Sequence, residues 1–168
     1  MRGYFTEINA TGNIYPDRPE ASSVDVTMQT ASIRTHNEQR DNDLRSSYFL
    51  EAEKYPTITF KSTKIEAKGP ERGTMTGDLT IKGTTKPVTL NVVKYGEFND
   101  PAMGHRIGYA AETKINRKDF GMNFDAMANG KFVVSHDIQI NIEGELVEVE
   151  KKVEAGTTSN RAGTTSAP

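Results

Sequence analysis

The chain has 168 residues, 35% of them hydrophobic and 26% charged, with a formal net charge of −2. That length suits one domain with a real core, and the near-neutral balance supplies no field favouring nucleic acid or an anionic membrane surface. There is no cysteine, which excludes disulfides, thiolate zinc sites, iron–sulfur clusters and a cysteine nucleophile, and no apolar run nears the roughly 18–20 residues of a spanning helix.

The front, MRGYFTEINATG, lacks the basic-then-apolar layout of a secretory signal. The compartment is left open: the expectation is a soluble chain, cytoplasmic as written and periplasmic or secreted if a signal precedes this sequence. Ile8, Ala10, Gly12 and Ile14 alternate with Glu7, Asn9, Thr11 and Asn13, a first strand. Pro16-Asp17-Arg18-Pro19 turns the chain, and Val24, Val26 and Met28 form the next stripe. Thr35 and Glu38 have capping-box spacing, so a short polar helix is expected over Asn37–Ser46, with Leu44 and Tyr48 on one face. Ile58 and Phe60 share one parity and Ile65 and Ala67 the other, which predicts a bulge near Ser62–Lys64.

Met75, Gly77, Leu79 and Ile81 alternate with Thr74, Thr76, Asp78 and Thr80. After the turn residues Gly83–Pro87, Val88, Leu90 and Val92 continue the pattern, so the two segments read as a hairpin. Asn99–Gly104 is turn-rich, and Ile107, Tyr109, Ala111, Thr113 and Ile115 form another stripe. Arg117–Phe120 reads as a helical turn. The last strand is expected to be the longest, with Phe132, Val134, Ile138, Ile140, Ile142 and Leu146 on one face, interrupted by His136 and Gly144. From Ala155 the chain is Gly, Thr, Ser and Ala, a disordered tail. The expected division is a barrel domain over 1–150 and a tail over 151–168.

About seven strands with one helical insertion make an all-β, antiparallel domain, sandwich or barrel. Long alternating strands with small residues on the inner face (Gly12, Gly77, Ala111, Gly144) favour a barrel of seven to eight strands around a cavity.

Catalytic patterns are missing: no GxSxG, P-loop, helix-opening GxGxxG or HExxH occurs. Glu143 and Glu145 lie on the wet face, where neither is desolvated for acid–base work. His36, His105 and His136 are far apart, so no metal site or cofactor is expected. His136 reads as a strand-end histidine near solvent, and His36 and His105 as loop residues.

Several stretches resemble the YceI-like family. They are Glu20-Ala21-Ser22-Ser23-Val24, Ala31–Asp41 (ASIRTHNEQRD), Leu44-Arg45-Ser46, Lys54–Ser62 (KYPTITFKS), Gly77–Gly83 (GDLTIKG) and, most family-like, Ile115–Met122 (INRKDFGM). The resemblance runs from about residue 2 to 148. It implies a lipocalin-like barrel with a short helix near its mouth, holding a long amphiphile such as a polyisoprenoid or isoprenoid quinone, with no reaction. Family members open with a Trp-x-Ile-Asp-x-x-His-Ser strand, whereas this chain starts at Met1-Arg2-Gly3-Tyr4-Phe5. An eight-stranded barrel short of one strand has two unpaired edges.

Such a site needs inward apolar side chains that leave room, and burying a prenyl chain is favourable by roughly 25 cal/mol per Å². The expected wall comprises Ile8, Val26, Met28, Ile58, Phe60 and Met75, then Leu79, Ile81, Leu90, Val92 and Ile107, then Tyr109, Ile138, Ile140 and Ile142. The plain alternative is that these are ordinary core residues. The resemblance makes the helix a rim, with Leu44, Tyr48 and Phe49 as an apolar lid. Arg40 and Arg45 are candidate contacts for a polar or pyrophosphate head, or else partners of Glu38, Asp41 or Asp43. In the corner Arg117–Gly121, Asp119 is expected to cap the turn, Phe120 to plug the barrel and Gly121 to supply a permissive backbone. The competing readings are an interaction module that pairs through an open sheet edge, as in a homodimer, and an enzyme acting on bound lipid.

Overall fold

The protein is described here from a computed structural model, covering residues 2–15, 17–102, 104–125, 127–128, 131–132 and 134–147. In chain order the elements are β1 (Tyr4–Phe5), β2 (Ile8–Asn13), β3 (Ser23–Gln29), β4 (Ile33–Arg34), α1 (Glu38–Arg45), β5 (Thr57–Ala67), β6 (Arg72–Ile81), β7 (Thr84–Asp100), β8 (Gly104–Asn116), β9 (Met127–Ala128), β10 (Lys131–Phe132) and β11 (Asp137–Val147). Seven of them form one antiparallel sheet in the order β11-β8-β7-β6-β5-β3-β2. β1 pairs with β4 and β9 with β10. The tail expected over 151–168 lies outside the described residues.

The β6–β7 hairpin closes through Lys82 and Gly83, both at positive φ (49° and 72°), the primed two-residue turn whose twist suits a coiled sheet. Thr84–Pro87, expected in the turn, are instead the first residues of β7, paired with β6. The expected bulge is present, with the β5–β6 register shifting between Ser62 and Lys64. Two expectations are corrected. The longest strand is β7, with 17 residues; a second bulge between Lys94 and Gly96 carries it past Val92. The final strand begins only at Asp137, because Phe132 lies in β10 and Val134 precedes a bend at which the Arg117 amide donates to the His136 carbonyl (2.8 Å).

α1 forms where predicted, but Asn37 caps it, its side-chain oxygen accepting from the Arg40 amide (2.9 Å). Thr35 is used otherwise: its hydroxyl donates to the buried Asp41 carboxylate (2.5 Å) and accepts from Arg40 Nε (2.8 Å). A buried carboxylate needs such a donor, and that need outcompetes a capping box.

Val26 and Met28 near one edge of the sheet and Ile140 at the other pack on the same apolar cluster, so the sheet curls around one core. The all-β, barrel-type architecture is as expected, but the described residues leave a seam. β2 and β11 each pair on one side only. The register also defines two ends. Gln29–Thr57, Ile81–Thr84 and Asn116–Asp137 meet at the end carrying α1 and the Arg117 turn. The hairpins at 13–23, 67–73 and 100–104 make the other.

Candidate functional site

The inner face is packed toward the helix end. Ile58, Phe60, Leu79, Ile81, Leu90 and Phe120 are buried in one cluster with Leu50, Ile115 and Met122. Val26, Met28, Met75, Val92 and Ile140 pack against it, partly buried. Phe120 is only 1% exposed, the plug position expected of it, and Gly121 takes the left-handed conformation (φ 74°) after it. Asn116, not Asp119, caps that turn, its side chain accepting from the Lys118 amide (3.0 Å).

Toward the hairpin end and the seam the same face opens. Ile107 is buried and Tyr109 half-buried, whereas Ile8 (57% exposed), Ile138 and Ile142 (46%) line the seam in contact with water. The small inner residues divide in the same way. The Phe60 ring lies across Gly77, filling the space that its missing side chain leaves, while among the described residues nothing lies within 4 Å of the point a Cβ on Gly144 would occupy. Gly144 is the cross-strand partner of Tyr109. Thus the expected wall splits into a solid floor and an open, apolar upper portion.

The helix segment sits over the packed end. Leu44 and Phe49 are half-buried, and Phe49 and Tyr48 each contact Phe124, ring centroids 5.3 and 5.4 Å apart. Leu50, a core residue that sequence reading missed, anchors this segment. Both candidate head-group arginines are engaged locally. Arg40 Nη2 donates to the Thr35 carbonyl (2.7 Å), and Arg45 donates to the Ala31 carbonyl (3.1 Å) and Asn42 Oδ1 (2.9 Å). Neither forms the carboxylate pair considered for it.

Arg117 is 2% exposed. Its guanidinium donates to the Ser135 carbonyl (3.0 Å), the Met122 carbonyl and Asp125 Oδ1 (2.9 Å). Asp125 also meets Lys118 Nζ (2.6 Å) and His136 Nε2 (3.0 Å). The Lys118 hydrogen bond, followed by those from Arg117 and His136, holds the Asp125 pKa down at about 2. The group ties Met122, Asp125, Ser135 and His136 to the Arg117 turn at the helix end. A second polar group, Lys94, Glu97 and His105, lies on the inner face at the hairpin end. Sequence reading missed it because the bulge breaks the alternation there.

Among the described residues, no three His, Cys, Asp or Glu are placed to hold a metal ion. No helix among them is long and apolar enough to cross a membrane.

Comparison with known proteins places this geometry. Protein YceI of Escherichia coli O157:H7 is 41% identical over 144 residues, covering 86% of this chain and 73% of the relative. A UPF0312 protein of Azotobacter vinelandii is 37% identical over the same coverage. The crystal structure of the Campylobacter jejuni YceI protein superposes with a TM-score of 0.77 at 35% identity, covering 89% of this chain and 85% of that one. Burkholderia cenocepacia BcnA, at 22% identity and a TM-score of 0.73, shares the fold. The YceI-like domain profile matches residues 1–146, and the chain belongs to the YceI-like family.

Proposed function

We propose that the protein is a non-catalytic carrier or store for a long amphiphile, a polyisoprenoid or an isoprenoid quinone, held along the inner face of the curled sheet. The observation carrying this reading is the continuity of that face. A single apolar stripe runs from the packed floor at Phe60 and Leu79 through Met75 and Val92 to half-exposed Tyr109 and exposed Ile142. Such a surface binds hydrocarbon in proportion to the area it covers and needs few polar contacts. The flexible thioethers of Met28 and Met75 suit a tail with many conformers. Two inward hydroxyls are occupied with backbone: Ser62 accepts from the Val24 amide (2.8 Å) and Thr113 donates to the Thr89 carbonyl (2.8 Å). That use fits a binding surface better than a nucleophile.

A second reading draws on the seam. β2 and β11 each present one unpaired edge among the described residues, and such edges accept a strand from another chain or a second copy. The two readings separate in one experiment. Protein purified from its native host is extracted with organic solvent and the extract analysed by mass spectrometry, alongside its mass in solution. A stoichiometric prenyl lipid supports the carrier; lipid-free protein in a persistent dimer overturns it in favour of strand pairing.

A further inference from the structure

We propose that Lys94, Glu97 and His105 form the seat for the ligand's polar head, and that this head is a neutral, oxygen-bearing group, a quinone carbonyl or a prenol hydroxyl, rather than a diphosphate. The inference rests on the carrier reading and adds to it where the head sits and what its charge is. The bulge between Lys94 and Gly96 sets the geometry. Lys94 is the register partner of Tyr109, and Glu97 of Ile107. Ile107 is buried and pairs in turn with Leu146. Partners across antiparallel strands share a face, and side chains two apart on a strand do as well. Lys94, Glu97 and His105 therefore point to the same side as the apolar stripe. They stand above it at the open end.

The three form one connected group. The Lys94 ammonium donates to Glu97 Oε2, and His105 Nε2 lies 2.7 Å from Glu97 Oε1. Lys94 and His105 side chains are both mostly covered. Beside them Tyr109 faces Gly144, and no atom of the described residues stands within 4 Å of the point a Cβ there would occupy. Among the described residues the polar group therefore borders open space at the top of an apolar wall. A long amphiphile laid along the stripe with its tail on the Phe60–Leu79 floor brings its head to this point.

Charge decides which head. The hydrogen bond to Glu97 keeps Lys94 protonated, and the hydrogen bonds from Lys94 and then His105 keep Glu97 ionised. Lys94 is thus already neutralised, and its amide donates to the carbonyl of Glu71, a second acidic residue at this rim (2.8 Å). An ammonium has three donors, of which Glu97 Oε2 takes one, so an uncharged oxygen can accept from Lys94 without disturbing the pair. A diphosphate would instead set several negative charges against the Glu97 carboxylate. By contrast, the guanidinium groups suited to phosphate, on Arg40 and Arg45, are bound to backbone and neutral side chains at the opposite, packed end.

The test loads the full chain from detergent micelles with four separate probes: squalene, geranylgeraniol, a decyl-substituted benzoquinone and geranylgeranyl diphosphate. Protein is re-isolated by gel filtration and bound probe quantified after extraction. Wild type is expected to retain the alcohol or the quinone above the diphosphate, and the comparison shows which neutral head is preferred. Lys94→Met and His105→Phe each lower retention of the preferred head-bearing probe by about tenfold, the worth of a hydrogen bond to a charged group, and leave squalene unchanged. Glu97→Gln, which removes the repelling charge, raises retention of the diphosphate. Preference of wild type for the diphosphate, or unaltered retention by both Lys94→Met and His105→Phe, overturns the head-group seat while squalene binding upholds the carrier. Failure of wild type to retain any probe overturns both.

Discussion

The Phe60 ring on β5 lies across Gly77 on β6, so that a Cβ at position 77 would stand 2.5 Å from the ring's Cζ and equally close to the Lys61 carbonyl oxygen. The bulky and the missing side chain form a matched pair that fills the floor of the sheet. Gly77→Ala is expected to destabilise the fold by about 1–3 kcal/mol, the usual cost of overpacking, read from urea denaturation. Adding Phe60→Leu recovers part of the loss, because it removes the ring and leaves the backbone contact.

Arg117 supplies three hydrogen bonds from a single buried guanidinium. Arg117→Met is expected to cost about 2–4 kcal/mol, less than orphaning a fully buried charge, since Asp125 keeps Lys118 and solvent. Arg117→Lys should restore little, because a point-like ammonium cannot reach three divergent acceptors. Denaturation midpoints of the two variants check this; near-wild-type stability of Arg117→Lys would contradict it.

Acid stability should carry the signature of Asp125. Its folded-state pKa, about 2, lies below the ordinary 3.8, so the unfolded chain takes up the proton first as pH falls. The stabilisation is complete above about pH 4 and is lost as pH drops toward 2. Thermal midpoints of wild type and Asp125→Asn, measured from pH 5 to pH 2, should differ by a constant amount at the upper end and converge at the lower. A gap that widens in acid would contradict the assignment.

Leu79 and Ile142 share the inner face but differ in surroundings, 5% against 46% exposed. Leu79→Glu puts a carboxylate into the packed cluster and should fail to yield folded protein. Ile142→Glu lies at the seam, should change stability by less than about 1 kcal/mol, and should release bound lipid. Circular dichroism with extraction of the purified variants separates the outcomes; full lipid retention by folded Ile142→Glu would count against the inner-face site.

Much of this fold is legible in the sequence wherever two-residue alternation is unbroken. The pairing of β6 with β7, the Ser62–Lys64 bulge and the Phe120–Gly121 corner fall where parity and turn chemistry put them, although the hairpin turns at Lys82–Gly83 and not over Gly83–Pro87. Legibility stops where an extra residue resets the parity. Past Val92 the Lys94–Gly96 bulge inverts the pattern, so alternation traces β7 no further and gives no reason to group Lys94 and Glu97 with His105, read as a loop residue. Tertiary partners are the other blind spot. Nothing local distinguishes Thr35, which serves the buried Asp41, from Thr35 as a helix cap, and Leu50 is a core residue only because its segment folds back over the sheet. In the candidate site, sequence named the wall but not its division into floor and opening, since alternation reports a side chain's face and not its depth.

That division has a quantitative consequence. Between Leu90 on the floor and Glu97 at the rim, β7 advances seven residues, one of them taken up by the Lys94–Gly96 bulge, so the interval is about 20 Å of strand at 3.4 Å per step. In the proposed carrier role, a tail anchored by its head at one end and stopped by Phe60 and Leu79 at the other is measured against a fixed length. The sheet then acts as a gauge: tails that match the interval bind fully covered, and longer ones must fold back or emerge between β2 and β11.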